Sequence, residues 1–447
     1  MLLNRKEHPV DFQRKLFATA HRAIAILAIG SLTISSHAAP TSTTGPLGLS
    51  VTKFGAKGNG KHDDTAAFQA AMNAVSHMGG GRVYVPAGNF RINGTLTVPQ
   101  DVALVGTWVA PPTYTDPTKT AEVHGTTLWA YDGKGDANGT PFITLLRNSA
   151  LRGIAVFYPE QTKPVPVAYP WCIRGNGDNC SLVNVLLVNP YQGVDFGTLP
   201  CGRHFINGLY GEPLYKGLLI DQCFDIGRVD NVHFWPFWDV NPAMMKWTSL
   251  HGTAFIIGRT DWEYMRNCFT ICYHVGYHFI NGKAGPGNVV LTQCGADEGA
   301  DGTSTTPVVV DNSESHAGIS FVNGQFMGTT EVNVKASNTG PIKFTACGFW
   351  GMPNCNTMAS LAGTGNVTFT GCHFIGWAKT DLKAAAIVAN CDGITITSCD
   401  FMDSGSAQVN VGPLCKSAII AENRLRGGQR IGLPAGFTAE IGLNSTR

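Results

Sequence analysis

One short phrase recurs between Gly318 and Leu425 and limits the folds open to the chain. It reads Ser320-Phe-Val-Asn-Gly-Gln-Phe326, Lys343-Phe-Thr-Ala-Cys-Gly-Phe349, Thr368-Phe-Thr-Gly-Cys-His-Phe374, Thr395-Ile-Thr-Ser-Cys-Asp-Phe401 and Ile419-Ile-Ala-Glu-Asn-Arg-Leu425. With Gly324, Cys347, Cys372, Cys399 and Asn423 taken as equivalent, the steps are 23, 25, 27 and 24 residues, the period of a solenoid. Apolar residues alternate within each phrase, which marks a strand with one buried face. No helix-length segment separates the phrases, so each turn must close through short strands and tight bends. The architecture that fits is all-β, a single-stranded right-handed parallel β-helix.

The repeat extends backwards through Cys294, Cys268, Val232, Gly208, Val185 and Ile154, in steps of 30, 26, 36, 24, 23 and 31 residues. The 36-residue step before Cys268 predicts a long loop carrying Trp247, His251, Asp261, Trp262, Glu263 and Tyr264, and long loops on a rigid frame usually carry function. The coil accounts for most of the chain, so 49–447 reads as one β-helix domain. Before it, 1–39 has the pattern of a secretory signal: basic residues to Arg22, an apolar run from Ala23 to Ile34 too short for a membrane span, and small residues before Ala39. Residues 40–48 read as a flexible lead-in. Charged residues are 14% of the chain and the net charge is +1, which argues against nucleic acid or stable membrane insertion. Of the thirteen cysteines, Cys268, Cys294, Cys347, Cys372 and Cys399 fall in the inward small-residue slot and are expected to be buried thiols. Cys172, Cys180, Cys201, Cys355, Cys391 and Cys415 lie off that slot and leave disulfide pairing open.

Asp63-Asp64-Thr65 starts a helix predicted over about 65–77, with Ala67, Phe68, Ala71, Met72 and Val75 on one face and Gly79-Gly80-Gly81 at its end. This helix is expected to cap the open end of the coil, which makes Asp63 and Asp64 cap residues rather than catalytic acids. Phe54-Gly-Ala-Lys-Gly-Asn-Gly60, Asp63-Asp-Thr-Ala-Ala-Phe-Gln-Ala-Ala71 and Gly80-Gly-Arg-Val-Tyr-Val-Pro-Ala-Gly88 resemble the opening of the pectate-lyase-like, rhamnogalacturonase/epimerase-like β-helix superfamily. That resemblance implies a secreted or phage-borne protein acting on a polysaccharide. It does not fix the reaction. The polygalacturonase signature of Asn-Thr-Asp, Asp-Asp and Gly-His-Gly on consecutive coils is missing.

Four successive coils leave their strand through a proline, at Pro159, Pro190, Pro213 and Pro236, with Tyr158, Tyr191, Tyr215, Trp235, Trp238, Glu160, Glu212 and Asp239 around them. Aromatic faces stack on sugar C–H faces and carboxylates serve as acid/base groups. Beside them lies a charged stretch with Asp221, Asp225, Arg228, Asp230 and His233, preceded by Asp195, Arg203 and His204. The leading expectation is a secreted glycoside hydrolase cleaving a polysaccharide or oligosaccharide by a carboxylate pair drawn from Glu160, Glu212, Asp225 and Asp239, with Tyr158, Tyr191, Arg203, His204, Arg228, His233, Trp235 and Trp238 contacting substrate. The alternatives are a lyase or epimerase acting on a uronic acid, with Arg203, Arg228 or Lys216 neutralising the sugar carboxylate, and a non-catalytic glycan-binding β-helix. No metal ligand set or cofactor is expected. An acidic trio of Asp297, Glu298 and Asp301 leaves Ca2+ open, although a solvated turn suits it better. Asn184, Asn207 and Asn231 are assigned to a structural ladder, and a homo-oligomer is compatible with the sequence.

Overall fold

A computed structural model of the chain describes residues 48–109, 124–297, 299–300, 303–403 and 405–446. The signal segment, most of the lead-in, Glu298 and Asp301 lie outside them. The coil runs from Gly48 to its last strand at Glu440–Gly442, and every strand pair in it is parallel. Strands stack into three ladders. The first runs through Gly81–Tyr84, Phe205–Gly211 and Ile319–Val322. The second runs through the latter halves of Phe205–Gly211 and Glu263–Ile271 and on to Arg424–Leu425. The third runs through Trp171–Asn176, Thr253–Ile257 and Ala407–Val411.

The predicted register holds from Ile154 to Leu425 with one correction. Val185 pairs with Leu209, and Leu209 with Val232, so the residue equivalent to Gly324 is Leu209 rather than Gly208. The reason lies in the corner between the first and second ladders. Gly153, Asn184, Gly208, Asn231, Asn267, Gln293, Asn323, Ala346, Gly371, Ser398 and Glu422 all have φ between +52° and +77°. One left-handed residue per coil turns the strand through the corner, and glycine and asparagine take that conformation most readily. Gly208 is the corner residue of its coil. Asn184 and Asn231 belong to the same column, whereas Asn207 is an outward strand residue and does not.

Inside, aromatic rings stack coil on coil. Phe344 lies 5.3 Å from Phe321 and 5.1 Å from Phe369, and Phe374 lies 4.9 Å from Phe349 and 4.8 Å from Phe401, all near parallel. Cys268, Cys294, Cys347, Cys372 and Cys399 are buried thiols in the predicted slot, donating to backbone carbonyls such as that of Phe344 beneath Cys372. The six cysteines whose pairing the sequence left open are buried thiols too, so a compact apolar filler is their role as well.

The helix at Thr65–His77 buries the five predicted residues and packs against the first strands. The carboxylate of Asp63 accepts from the Thr65 N–H, whereas that of Asp64 turns back to the N–H groups of Lys57 and Gly58. The 36-residue step contains a second helix, Pro242–His251, unforeseen in the sequence reading although its start is well signalled: Asn241 accepts from the Ala243 N–H, and Pro242 opens the first turn. Among the described residues no helix is long and apolar enough to cross a membrane.

Candidate functional site

The proline-marked turns between the second and third ladders form a covered layer. The outward residues of the second ladder there are apolar, including Ala155, Leu186 and Tyr210, and the turns fold back over them. Trp235 and Trp238 join Trp108, Leu214, Phe237 and Met244 in an apolar cluster outside the coil, exposed by only 5% and 4%. Both tryptophans were expected to stack on sugar, and their burial removes them from that role. Tyr158 is corrected for a different reason: it is 1% exposed inside the coil, edge-on to Tyr169 at 4.8 Å. His233 stacks on Trp235 at 4.3 Å. Tyr191 is partly exposed and stacks with Tyr215 at 5.0 Å.

Two of the four expected acids meet in this layer. The Glu212 carboxylate accepts from the N–H groups of Trp238 and Asp239, at 2.7 and 3.2 Å, so it ties the turn rather than facing a substrate. Asp239 is buried and pairs with Lys163 at 3.4 Å, whose ammonium lies 4.1 Å above the Trp238 ring. Glu160 stands apart, paired with Lys134 at 3.0 Å.

Burial pushes the Glu212 carboxyl well above its ordinary 4.5, against the pull of the two N–H donors. Its folded value exceeds its unfolded one, so the stability it lends is complete below about pH 4.5 and fades as pH rises through the folded value. Denaturant midpoints of the wild type are expected to fall across that interval, and those of Glu212→Gln to fall less. Parallel pH profiles would contradict the assignment.

The exposed chemistry gathers instead at the turns from the third ladder to the first. Phe205, Arg228, Tyr264 and Val290 stand in register on four successive strands, and Asn207, Asp230, Arg266 and Thr292 form the next outward row. Phe205 is 39%, Phe224 54%, Trp262 47% and Tyr264 45% exposed, so aromatic faces on neighbouring coils meet solvent. Trp262 has φ +149°, a backbone seldom adopted outside glycine and of the kind that accumulates at functional sites.

Guanidinium groups on the same turns pair with carboxylates. Arg203 bridges Asp178 and Asp225 at 2.9 Å each, Arg266 pairs with Asp230, and Arg259 with Asp261. The Arg203 hydrogen bond, with the Ile226 N–H, holds the Asp225 carboxyl below the usual range, and Arg266 does the same for Asp230. Arg228 forms no salt bridge among the described residues; it donates to the Ile226 carbonyl at 3.5 Å, and its charge adds to that of Arg203 in holding the Asp225 carboxyl down. A pocket of about 460 Å³ opens beside them, lined by Phe224, Asp225, Arg259, Asp261, Trp262 and, from later coils, Asn288, Glu314 and His316.

Glu314 and His316 form a dyad in that wall. His316 Nδ1 lies 2.6 Å from Glu314 Oε1, while Glu314 Oε2 accepts from the N–H groups of His316 and Ala317 at 2.8 Å. Burial raises the Glu314 carboxyl, but these donors outweigh it and hold it below its ordinary value. A carboxylate so fixed orients the ring and leaves Nε2 outermost, the arrangement of a general base.

Of the expected site residues, the structure brings Arg203, Asp225 and Arg228 together here. Arg259, Glu314 and His316 were missed. They sit in irregular turns whose neighbours are set by coil register, and Glu-Ser-His between two strand phrases was their one local trace. His204 was expected at the surface but is fully buried inside the coil, its Nε2 3.0 Å from Glu263 Oε1, because the residue after outward Arg203 points in.

Residues 48–193 match the family described as rhamnogalacturonase A/epimerase, pectate lyase-like. Mannuronan C5-epimerase AlgE3 of Azotobacter vinelandii is 46% identical over 65 residues, and alginate lyase 7 of the same organism 46% over 63. Those segments are 13% and 12% of this chain and only 4% and 7% of the relatives, so the chain spans a small part of their length. Among solved structures, the A-module of A. vinelandii mannuronan C-5 epimerase AlgE6 superposes with a TM-score of 0.51 at 15% identity, over 89% of this chain and all of that one. The tailspike of E. coli bacteriophage HK620, in complex with a pentasaccharide, superposes with 0.54 at 10% identity, over 89% of this chain and 78% of that one. Both likenesses bear on the fold. Over residues 48–193 the chain therefore matches the rhamnogalacturonase A/epimerase, pectate lyase-like family, and the coil begun there continues to the C-terminal strands as a parallel β-helix.

Proposed function

We propose that the protein acts on an acidic polysaccharide by taking the C5 proton of a uronic acid residue, as a lyase or a C5-epimerase, in the groove between Phe205 and His316. The observation that carries this reading is one face presenting exposed aromatic rings, a cation at Arg228 that forms no salt bridge among the described residues and a carboxylate-oriented His316. Stacking on Trp262 and Tyr264 holds the sugar, and Arg228, flanked by the Arg203 network, neutralises its carboxylate. His316 Nε2 then takes the C5 proton, and the electron pair moves into the carboxylate, where the guanidinium stabilises the added charge. In a lyase the pair then returns to form the C4=C5 double bond as the C4–O4 bond breaks, and O4 takes that bond's electrons and a proton from the imidazolium; in an epimerase C5 instead takes a solvent proton on its opposite face. The mannuronan C5-epimerases and the alginate lyase among the relatives support this choice.

A glycosidase with a carboxylate pair is less well supported. It needs a carboxylic acid kept protonated beside the glycosidic oxygen. Asp225 and Asp230 each pair with an arginine, which favours the ionised form. The carboxyls pushed well upward, Glu212 and Glu331, are buried elsewhere. We propose export as well, which would place the enzyme among such polymers.

The test is incubation with polymannuronate, polyguluronate, polygalacturonate and a neutral glucan in D2O. A lyase gives ultraviolet absorbance of the unsaturated product, and an epimerase gives deuterium at C5 without absorbance. New reducing ends with neither signal would establish a hydrolase and sink the proposal.

A further inference from the structure

Beneath this groove lies a polar cluster that the proposed reaction does not use. His204, Cys223 and Glu263 come from three successive turns, each 0% exposed, and a nitrogen, a sulfur and a carboxylate oxygen of the three lie within 4.8 Å of one another. His204 Nδ1 is 2.9 Å from the Cys201 carbonyl oxygen, to which it donates, and this turns Nε2 toward Glu263. Glu263 Oε2 has no hydrogen-bond partner, a costly state for a fully buried carboxylate oxygen. Gly227 faces the cluster, and a Cβ there would collide with both the Glu263 carboxylate and the His204 ring.

We propose that His204 Nε2, Cys223 Sγ and the Glu263 carboxylate hold one divalent transition-metal ion, by their chemistry Zn2+, inside the coil. Imidazole and thiolate beside a carboxylate select zinc over calcium or magnesium, which take oxygen ligands. A histidine whose second nitrogen is fixed by a backbone carbonyl has the tautomer and orientation of a metal ligand. The carboxylate and the thiolate together neutralise a divalent ion, so the buried unit carries no net charge, and the protons of Sγ and Nε2 leave as it binds. The ion satisfies Glu263 Oε2. The fourth position falls to that oxygen, and the thiol gives up the hydrogen bond it donates to the Asp225 carbonyl oxygen. Each ligand adjoins a groove residue in sequence: His204 follows Arg203, Cys223 precedes Phe224 and Asp225, and Glu263 lies between Trp262 and Tyr264. The ion therefore acts as an internal rivet that sets three turns of the groove, outside the reaction itself.

The test uses the full chain as purified. About one equivalent of Zn2+ per chain is expected by mass spectrometry of the dialysed protein, with one sulfur and otherwise nitrogen or oxygen neighbours by X-ray absorption. Protein unfolded with chelator and refolded with Co2+ should show a thiolate-to-cobalt charge-transfer band that Cys223→Ser abolishes. Glu263→Gln, of nearly the same volume, should lower metal content about tenfold or more. Zinc below about a tenth of an equivalent together with no Co2+ uptake on refolding overturns the proposal, and leaves a proton between His204 and Glu263 as the occupant. Zinc with several sulfurs or none overturns it too, by placing the ion on other residues. Should Cys223→Ser fail to fold, the absorption spectrum of the wild type decides by itself.

Discussion

His316→Ala is expected to lower turnover on a uronate polymer by about 100-fold or more, the usual worth of a positioned general base. The variant should fold normally, because the ring is exposed and meets Glu314 and Ser315 of its own turn. Glu314→Gln keeps the turn but weakens the acceptor that orients the ring, so a smaller loss and a displaced pH–rate profile are expected from a residue that positions the base. Arg228→Ala should cost a comparable factor through lost stabilisation of the carboxylate's added charge. Trp262→Ala should mainly raise KM, since stacking acts on ground and transition states alike. Asp400→Asn, on a distant coil, is the control and should be nearly silent. Full turnover in both His316→Ala and Arg228→Ala would remove this groove from the reaction.

Phe374→Ala is expected to destabilise the coil by about 3–5 kcal/mol, the range for emptying a buried aromatic site. The ring is fully buried between Phe349 and Phe401, with Phe369 edge-on at 5.5 Å. Rings above and below are held by their own strands and cannot close the gap. His373, next in sequence, points outward and accepts from the Trp350 indole N–H at 3.0 Å, so His373→Ala should cost about 1 kcal/mol or less. Equal shifts of the two variants in denaturant midpoint would contradict the alternation on which the whole register rests.

The coil was legible in the sequence because its signal repeats: alternation within a phrase and equal spacing between phrases both follow from one stacking rule. The error at Gly208 came from reading a small residue as an inward filler where the backbone needed a left-handed corner. The site was legible only in part. Asp225 and Arg228 belong to the charged stretch that the sequence singled out and Arg203 to the residues preceding it, whereas Tyr158, Trp235 and Trp238 were read as a sugar platform on composition alone. Aromatic residues beside prolines suit a covering layer as well as a binding face. Which one they form depends on whether the strand faces beneath them are apolar, as Ala155, Leu186 and Tyr210 are. Glu314 and His316 lie two coils beyond Trp262 along the axis, and only the ladder register brings them to the same wall.

The column of left-handed corners makes the chain modular along its axis. Any stretch from one corner to the next, such as Ala346 to Gly371, starts and ends at the same angle about the axis and presents the same stacking surface above and below. A whole coil can thus be duplicated or deleted without a new solution for the interior, because its neighbours meet a matching ring stack on either side. Length changes within a coil are absorbed by the other two turns, as the Pro242–His251 insertion shows. Such a scaffold can lengthen or shorten its groove by one strand spacing at a time, and so adjust the number of sugar units it spans separately from the chemistry performed on one of them.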